Sequence, residues 1–367
     1  MKSSWKIGDV AGIAIRIHAT FPLLLLWVGV VRYLARREWI DAVTGVAFMS
    51  ALFVFVTLHE LGHALMAKRF GVRTRDITLL PIGGVARLEK MPTRPLHELL
   101  IAIAGPAVNV ALALAFFSLL AFGGIPTQLE TQLLEKNILA RLAWVNVGLA
   151  VFNLLPAFPM DGGRVLRAVL AMRIDYLRAT NIAAAVGQGF AVVLGLLGLM
   201  SNPFLAVIAV FVWLGAGAEA RATRLRQALA GVSVEDVMMT EFHVLSPDDV
   251  LQRAVDFALA SRQQHFPVVH EGAAVGMLCW DDLLAGLSAS GPSARVGDKM
   301  QRQVRTARTT EAVERLLDGV PDCEFRAMPV LQDEKIVGLF TTENLVESIM
   351  LRTATERAMQ RANGVLA

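Results

Sequence analysis

The 367-residue chain is 55% hydrophobic and only 18% charged, and its mean hydropathy is +0.53. Soluble domains usually carry about a quarter charged residues, so this composition excludes an ordinary soluble protein and places part of the chain in lipid. Its two cysteines are far apart and form no CxxC pair, which argues against a disulfide scaffold or a thiolate zinc site. The net charge of +3 divides into +8 for residues 1–218, with 19 Lys and Arg against 11 Asp and Glu, and −5 for residues 219–367, with 16 against 21.

Stretches without charged residues predict six transmembrane helices, because a charged side chain at bilayer depth costs about 2.5 kcal/mol or more. These stretches are residues 17–31, 42–58, 101–129, 142–160 and 179–218. The last contains the turn signal Ser201-Asn202-Pro203 and is long enough for two crossings of about 20 residues each. The basic N-terminal segment lacks a small-residue cleavage site, so we expect it to be retained and to lead into the first span.

The distribution of positive charge predicts the orientation. With the N-terminus in the cytosol, 14 Lys and Arg residues face inward and five face outward, namely Arg32, Arg36, Arg37, Lys136 and Arg141. The positive-inside rule then predicts a multi-pass protein of the cell inner membrane, with the N-terminus and everything after Ala218 in the cytosol.

Residues 71–89, between the second and third spans, read GVRTRDITLLPIGGVARLE and predict a β-hairpin. An exposed sheet edge can receive an extended peptide by strand addition. Ile77 and Thr78 are therefore candidate substrate-binding residues.

The segment His59-Glu60-Leu61-Gly62-His63 is a candidate metal site. Residues four apart lie on one face of a helix, so both imidazoles can reach one metal while Glu60 faces a metal-bound water. Ionisable groups at the end of an apolar span are a functional hypothesis by default. The alternative is a helix end whose polar residues merely meet lipid headgroups.

Asp161 is a candidate third ligand, since catalytic zinc sites usually use three protein ligands and water. It ends the fourth span, in the sequence NLLPAFPMDGG, and no positive charge between Leu142 and Met160 can pair with it. A lone carboxylate there is costly unless a metal neutralises it. The alternative is an aspartate that caps the helix carrying Arg164 and Arg167.

Three motifs together resemble the site-2 protease family of intramembrane zinc metalloproteases. They are HELGH, the GPxxN of residues 105–109 and the NxxPxxPxDGG of residues 153–163. The resemblance implies one Zn²⁺ held by His59, His63 and Asp161, with Glu60 as the general base. It also implies that Asn153 holds the substrate backbone or the developing oxyanion. Asn109 is either a substrate-binding residue or a small polar residue that aids helix packing.

The second half of the chain contains a repeat with a period of about 62 residues. Each copy has a valine-and-methionine opening, a helical stretch, a short strand, a turn, a second strand and a helix start. The first strands are residues 266–269 and 328–331, and the second strands begin at Gly276 and Gly338.

This repeat resembles tandem CBS domains, which implies dimerisation as a flat α/β unit and binding of an adenine nucleotide such as ATP or AMP. The first copy keeps the signature aspartate as Asp282 but has Cys279 where the family has threonine. The second keeps the threonine as Thr341 but has Asn344 where the family has aspartate. Asp282 and Thr341 are candidate nucleotide-binding residues; alternatively, the pair serves only for dimerisation or for docking to the membrane part.

The expected fold is a polytopic α-helical membrane protein with a small membrane-associated β-hairpin or sheet, followed by a cytosolic α/β tandem CBS domain. The expected domains are a protease domain at 1–218, a linker at 219–231, CBS domains at 232–290 and 295–353, and a helical tail at 354–367. Four further histidines have no partners at metal spacing and are expected to be structural or solvated: His97, His243, His265 and His270.

The expected function is regulated intramembrane proteolysis of a single-span protein, such as an anti-sigma factor or a membrane-tethered transcription factor, by a homodimer assembled through the CBS domains. The positive charge is an orientation signal and makes no case for nucleic acid. The alternatives are a CBS-regulated divalent-metal transporter and a catalytically inactive membrane scaffold. The transporter predicts a carboxylate-lined path across the bilayer, but the third, fifth and sixth expected spans contain no acidic residue.

Overall fold

The computed structural model describes residues 4–81, 83–88, 94–127, 137–261, 263–317, 327–333 and 335–362. Cys323, residues 128–129 of the expected third span and residues 363–367 of the expected tail lie outside these ranges. The chain separates into two units, which meet in sequence between Thr223 and Arg224.

The first unit combines a small sheet with seven helices in the described residues. In chain order these are β1 (Ser4–Val10), β2 (Ile13–His18), α1 (Thr20–Arg36), α2 (Trp39–Arg69), β3 (Thr74–Leu80), β4 (Gly83–Leu88), α3 (Pro95–Phe122), α4 (Ile138–Asn153), α5 (Asp161–Ala171), α6 (Tyr176–Met200) and α7 (Pro203–Leu229).

The sheet has the order β1-β2-β3-β4, in which β2 and β3 run parallel and the other pairs are antiparallel. Ile13 and Ile77 pack with Leu61 and Ala64 of α2, so the sheet lies directly on the helix that carries the HELGH motif. The expected start of the first span at Ile17 is wrong, because Ile17 belongs to β2 and the helix begins only at Thr20.

Among the described residues, four helices are long and apolar enough to cross a membrane: α2, α3, α6 and α7. The apolar helix α4 has 16 residues and α1 has 17, which is shorter than the roughly 20 residues of a typical crossing. The turn signal at Ser201 acts as expected, since α6 ends at Met200 and α7 begins at Pro203.

Small residues allow the helices of this unit to approach closely. Gly62 of α2 faces the backbone of α3, where an added Cβ would lie 2.8 Å from the Ala104 carbonyl oxygen. Many buried positions are alanines: Ala64, Ala67, Ala102, Ala143, Ala168, Ala179 and Ala183 are at most 1% exposed. Close contact through alanine and glycine is typical of helix packing in membranes, where lipid tails are as apolar as leucine.

The second unit repeats one arrangement twice. Its elements are α8 (Leu251–Ser261), β5 (His265–His270), β6 (Ala273–Cys279), α9 (Trp280–Ser290), α10 (Val296–Lys299), β7 (Ala307–Arg308), α11 (Val313–Leu317), β8 (Ala327–Gln332), β9 (Lys335–Thr341) and α12 (Thr342–Ala362). The β5–β6 and β8–β9 hairpins have the same register with an offset of 62 residues, since Phe266 pairs with Leu278 and Met328 pairs with Phe340.

In each copy, the segment before the hairpin pairs with the hairpin of the other copy. Met239, which precedes the first copy's hairpin, bridges to Leu339 in the second, and Gln301 bridges back to Met277 in the first. Each hairpin therefore depends on the other copy. The individual domain boundaries stay predictions; α7 runs through residues 219–229 of the expected linker, and α12 runs across the expected boundary at residue 353.

Candidate metal centre and its surroundings

The two histidines of the HELGH motif lie on one face of α2, deep in the first unit. His59 and His63 are each 6% exposed, and their Nε2 atoms are 3.1 Å apart. The four-residue spacing produces this geometry because it brings side chains on successive helical turns to the same face.

Asp161 joins the histidines from a helix 102 residues further along the chain. Its Oδ2 atom is 3.0 Å from Nε2 of His59 and 3.1 Å from Nε2 of His63. The three side chains thus offer two nitrogens and one oxygen within 4.8 Å of one another. This donor set fits a catalytic zinc site, which uses three protein ligands of these types and keeps a fourth position open.

Gly105 of α3 leaves room beside these donors. A Cβ at this position would collide with Nε2 of His63 and would lie 2.7 Å from Nε2 of His59. Any other residue would therefore fill the space between the imidazoles and α3. Steric contact with the two imidazoles therefore explains why the GPxxN motif has glycine at this position.

The two glycines after Asp161 allow the turn before α5 to fold over the start of that helix. A Cβ at Gly162 would collide with the carbonyl oxygens of Leu154 and Leu155, and one at Gly163 would lie 2.7 Å from the Phe158 nitrogen. On its other side the turn packs on α7, where Gly215 faces the ring of Pro159. Asp161 is therefore presented from a closely packed turn.

Glu60 lies next to the histidines in sequence and is directed toward the sheet. A Cβ at Gly84 of β4 would be 2.8 Å from Cγ of Glu60. Glu60 is partly exposed, whereas both histidines are buried. The carboxylate thus lies where the α2 surface meets β4.

Two asparagines form a polar connection behind His59. Oδ1 of Asn109 is 2.5 Å from Nδ1 of His59, and Nδ2 of Asn109 donates to Oδ1 of Asn146 over 2.9 Å. Both asparagines are 0% exposed. The Asn109 amide is thus buried and bonded to these two residues, and its alternative role in substrate binding stays a prediction.

The family of the chain follows from comparison with known proteins. The model of peptidase family M50 matches residues 47–136 and 125–196. The zinc metalloprotease MJ0392 of Methanocaldococcus jannaschii is 36% identical over 284 residues, which are 76% of this chain and 78% of that protein. This chain belongs to peptidase family M50, the site-2 protease family.

The chain is also similar to a second curated protein and to a solved structure. The Rip3 protein of Mycobacterium tuberculosis is 30% identical over 378 residues, which cover 95% of this chain and 93% of that protein. A solved site-2 protease structure from Methanocaldococcus jannaschii is 39% identical and covers 59% of this chain and 95% of its own, with a TM-score of 0.44. The CBS domain model matches residues 234–289. The chain is thus an M50 metalloprotease with several membrane helices and a C-terminal CBS region.

Two of the expected substrate-binding residues of this M50 protease are inaccessible. Ile77 is 0% and Thr78 is 2% exposed, and β3 is paired on both sides, with β2 and with β4. Strand addition needs an edge strand, and β3 is not one in this sheet, so this geometry does not support that mode of binding at β3. Substrate binding by Ile77 and Thr78 stays a prediction. In the described sheet the outer strands are β1 and β4.

Asn153 is the last residue of α4, and its amide Nδ2 donates to the carbonyl oxygen of Leu149 over 3.0 Å. It therefore lies at the start of the turn that leads to Asp161. Its expected contact with substrate stays a prediction.

A buried ionic cluster was not foreseen from the sequence. Arg167 of α5 is 1% exposed, and it donates from Nε to Glu98 of α3 over 2.7 Å and from Nη1 to Glu219 of α7 over 2.6 Å. Its guanidinium group also lies 5.0 Å from the ring centre of Phe158. The cluster ties α5, which carries Asp161, to two neighbouring helices.

The candidate nucleotide-binding residues are engaged within the second unit. Oδ2 of Asp282 accepts a hydrogen bond from Nε2 of Gln301 over 2.8 Å, and Oγ1 of Thr341 accepts one from the Asn344 backbone nitrogen over 3.1 Å. Thr341 thus caps the start of α12. Of the remaining histidines, His97 stacks on Phe70 and His243 stacks on Phe257.

Proposed function

We propose that this chain is an intramembrane zinc metalloprotease that hydrolyses a peptide bond within or near the transmembrane segment of a membrane-anchored regulatory protein. The observation that carries the proposal is the convergence of His59, His63 and Asp161, which come from two distant helices, on one point. Membership of family M50 supports the same conclusion and favours it over a metal transporter.

One zinc ion per chain is held by Nε2 of His59, Nε2 of His63 and a carboxylate oxygen of Asp161. The absence of a side chain at Gly105 supports this assignment, because an added Cβ would collide with the imidazole nitrogens that are assigned as ligands. Bound in this site, zinc supplies a Lewis acid that polarises a carbonyl and lowers the pKa of water toward neutrality.

The proton transfers fall to Glu60. Its carboxylate accepts the proton of the attacking water and later returns it to the leaving amine of the cleaved peptide. Asn153 donates an amide hydrogen bond to the substrate backbone or to the developing oxyanion, and one such donor contributes about 3–4 kcal/mol to catalysis in well-studied hydrolases. This assignment requires the Asn153 amide to leave its bond with Leu149.

The membrane arrangement has six spans, formed by α1, α2, α3, α4, α6 and α7, with both termini of the membrane part in the cytosol. The excess of Lys and Arg in the inward segments supports this orientation. The helix α2 continues through Lys68, a natural cytosolic boundary. At about 1.5 Å per residue, His63 lies about 8 Å and His59 about 14 Å from that boundary. The scissile bond is therefore near the cytosolic side of the substrate helix.

The substrate is a single-span regulatory protein, such as an anti-sigma factor or a membrane-tethered transcription factor. The CBS region forms a homodimer and binds ATP or AMP, and nucleotide binding regulates the protease. The duplicated hairpins of the second unit, each paired with a segment of the other copy, support a paired CBS arrangement.

Cleavage by reconstituted protein tests the proposal. The purified full chain and its Glu60→Gln variant are placed in lipid vesicles with candidate single-span proteins, and products are identified by mass spectrometry. We expect wild-type cleavage near the cytosolic end of the substrate helix, and a loss of at least about 100-fold in Glu60→Gln, since general base catalysis contributes about 10²–10⁴-fold. Zinc content should be equal in the two proteins. Cleavage that persists in Glu60→Gln would contradict the assignment of the base.

A further inference from the structure

A chain of three hydrogen bonds connects His59 to a backbone carbonyl on a different helix. Nδ1 of His59 meets Oδ1 of Asn109, Nδ2 of Asn109 donates to Oδ1 of Asn146, and Nδ2 of Asn146 donates to the carbonyl oxygen of Leu142 over 2.9 Å. The chain passes from α2 through α3 to α4. Asn146 belongs to none of the motifs of the sequence.

The carbonyl at the end of this chain sets the direction of every bond in it. A backbone carbonyl can only accept, so the Asn146 side chain must turn its NH₂ group toward Leu142 and its oxygen toward Asn109. Asn109 must then donate to Asn146 and turn its own oxygen toward His59. Because that oxygen only accepts, Nδ1 of His59 must carry a proton, which leaves Nε2 as the ring nitrogen that can bind a metal.

We infer that Asn146 is a positioning residue, which acts through Asn109 to hold His59 in the tautomer whose Nε2 lone pair faces the metal. Metal-binding histidines commonly donate their second ring nitrogen to an acceptor that fixes tautomer and ring orientation. The inference rests on the proposed zinc site and assigns a role to a residue that does not touch the metal.

The tautomer of His63 is fixed in the same way, but by a direct hydrogen bond to a backbone carbonyl. Its Nδ1 lies 2.7 Å from the carbonyl oxygen of Ile101, which can only accept. Both histidines are thus set by a backbone carbonyl, His63 directly and His59 through two amides. Ile101, Gly105 and Asn109 are spaced four residues apart on α3, so one face of that helix serves both imidazoles.

Burial makes the asparagine arrangement hard to reverse. Asn109 and Asn146 are both 0% exposed, so a flipped amide would face its partner with like groups and find no water to compensate. Leaving a buried polar group without a hydrogen-bond partner is unfavourable, which disfavours the reversed orientation and the other tautomer of His59.

Zinc release from the full-length protein tests the role of Asn146. Wild type, Asn146→Leu and Asn146→Asp are loaded with zinc in detergent, and transfer to an excess of a chromogenic chelator gives the release rate. Leucine has similar size but no polar group. A protonated aspartate keeps an acceptor for Asn109 and a donor for Leu142, so it preserves the direction of the chain. Thr180→Val is the control, since Thr180 is also 0% exposed and its hydroxyl donates to the carbonyl oxygen of Tyr176 on its own helix.

We expect release to be about 10–100-fold faster in Asn146→Leu, the usual effect of removing a partner of a metal-binding histidine, and to change by less than about 3-fold in Asn146→Asp and Thr180→Val. If the leucine variant does not fold, Asn146→Ser repeats the test, because serine can bond to its own helix but is too short to reach Asn109. Equal rates in wild type and the disrupting variant, or equal acceleration in the aspartate or valine variant, would overturn the inference. A wild-type protein that holds no zinc would instead overturn the proposed zinc site.

Discussion

The candidate metal centre and the candidate nucleotide sites differ in what their polar side chains contact. At the metal centre, His59, His63 and Asp161 direct their donor atoms at one another from two helices. In the second unit, Asp282 and Thr341 bond to Gln301 and to the Asn344 backbone nitrogen, and each has a partner within its own surroundings. The first arrangement brings three potential metal ligands together, whereas in the second each candidate side chain bonds to a neighbouring protein group.

The difference reflects how much of each motif the chain retains. The metal centre has both histidines, the glutamate, the aspartate and the glycines that make room for them. Each nucleotide half-site has one of its two signature residues, since Cys279 and Asn344 replace the others. A complete motif thus corresponds to convergent donors, whereas an incomplete one corresponds to side chains bonded to local partners.

The largest loss of ligand affinity is expected when a side chain is added at Gly105, beside the metal centre. Gly105→Ala places a Cβ against both imidazoles, so we expect zinc affinity to fall by about 100-fold or more, at or beyond the upper end of the range for changes beside a metal site. Competition with a chelator of known affinity measures the change.

The matched control is Gly148→Ala on α4, where an added Cβ meets nothing within 4 Å. This variant should bind zinc as wild type does, because alanine also favours a helix. If both alanine variants bind zinc equally well, Gly105 does not shape the metal site.

A smaller loss of affinity, for AMP, is expected from changes at the candidate nucleotide sites. If Asp282 binds AMP, its bond to Gln301 competes with that contact. We expect Asp282→Ala to weaken AMP binding by about 10-fold or more, since a hydrogen bond to a charged group contributes about 1.5–3 kcal/mol. Gln301→Ala should bind AMP at least as tightly as wild type. Calorimetric titration of the full chain measures both, and AMP binding unchanged in Asp282→Ala would remove Asp282 from the site.

Local spacing in the sequence was enough to predict the centre of the metal site. The HELGH spacing determines that both histidines share a helical face, and the broken helix before Asp161 indicates a residue that turns inward. These features depend on a few consecutive residues, so they can be recognised without the rest of the fold.

The supporting residues could not be predicted in this way. Asn146 and Arg167 acquire their roles from partners on other helices, and no local pattern identifies those partners. The place of β3 between two other strands, which buries Ile77 and Thr78, could not be predicted for a similar reason. The β1–β2 hairpin, which covers one side of β3, lies about 60 residues earlier and was expected to lead directly into a membrane span.

Metal analysis of the purified full chain tests the central claim most directly. Elemental analysis and zinc X-ray absorption should give one zinc per chain with two imidazole nitrogens and carboxylate oxygen among its ligands, and Asp161→Ala should retain little of that zinc after dialysis against a chelator. A wild-type protein without zinc, or a zinc ion that stays bound with unchanged coordination in Asp161→Ala, would contradict the account.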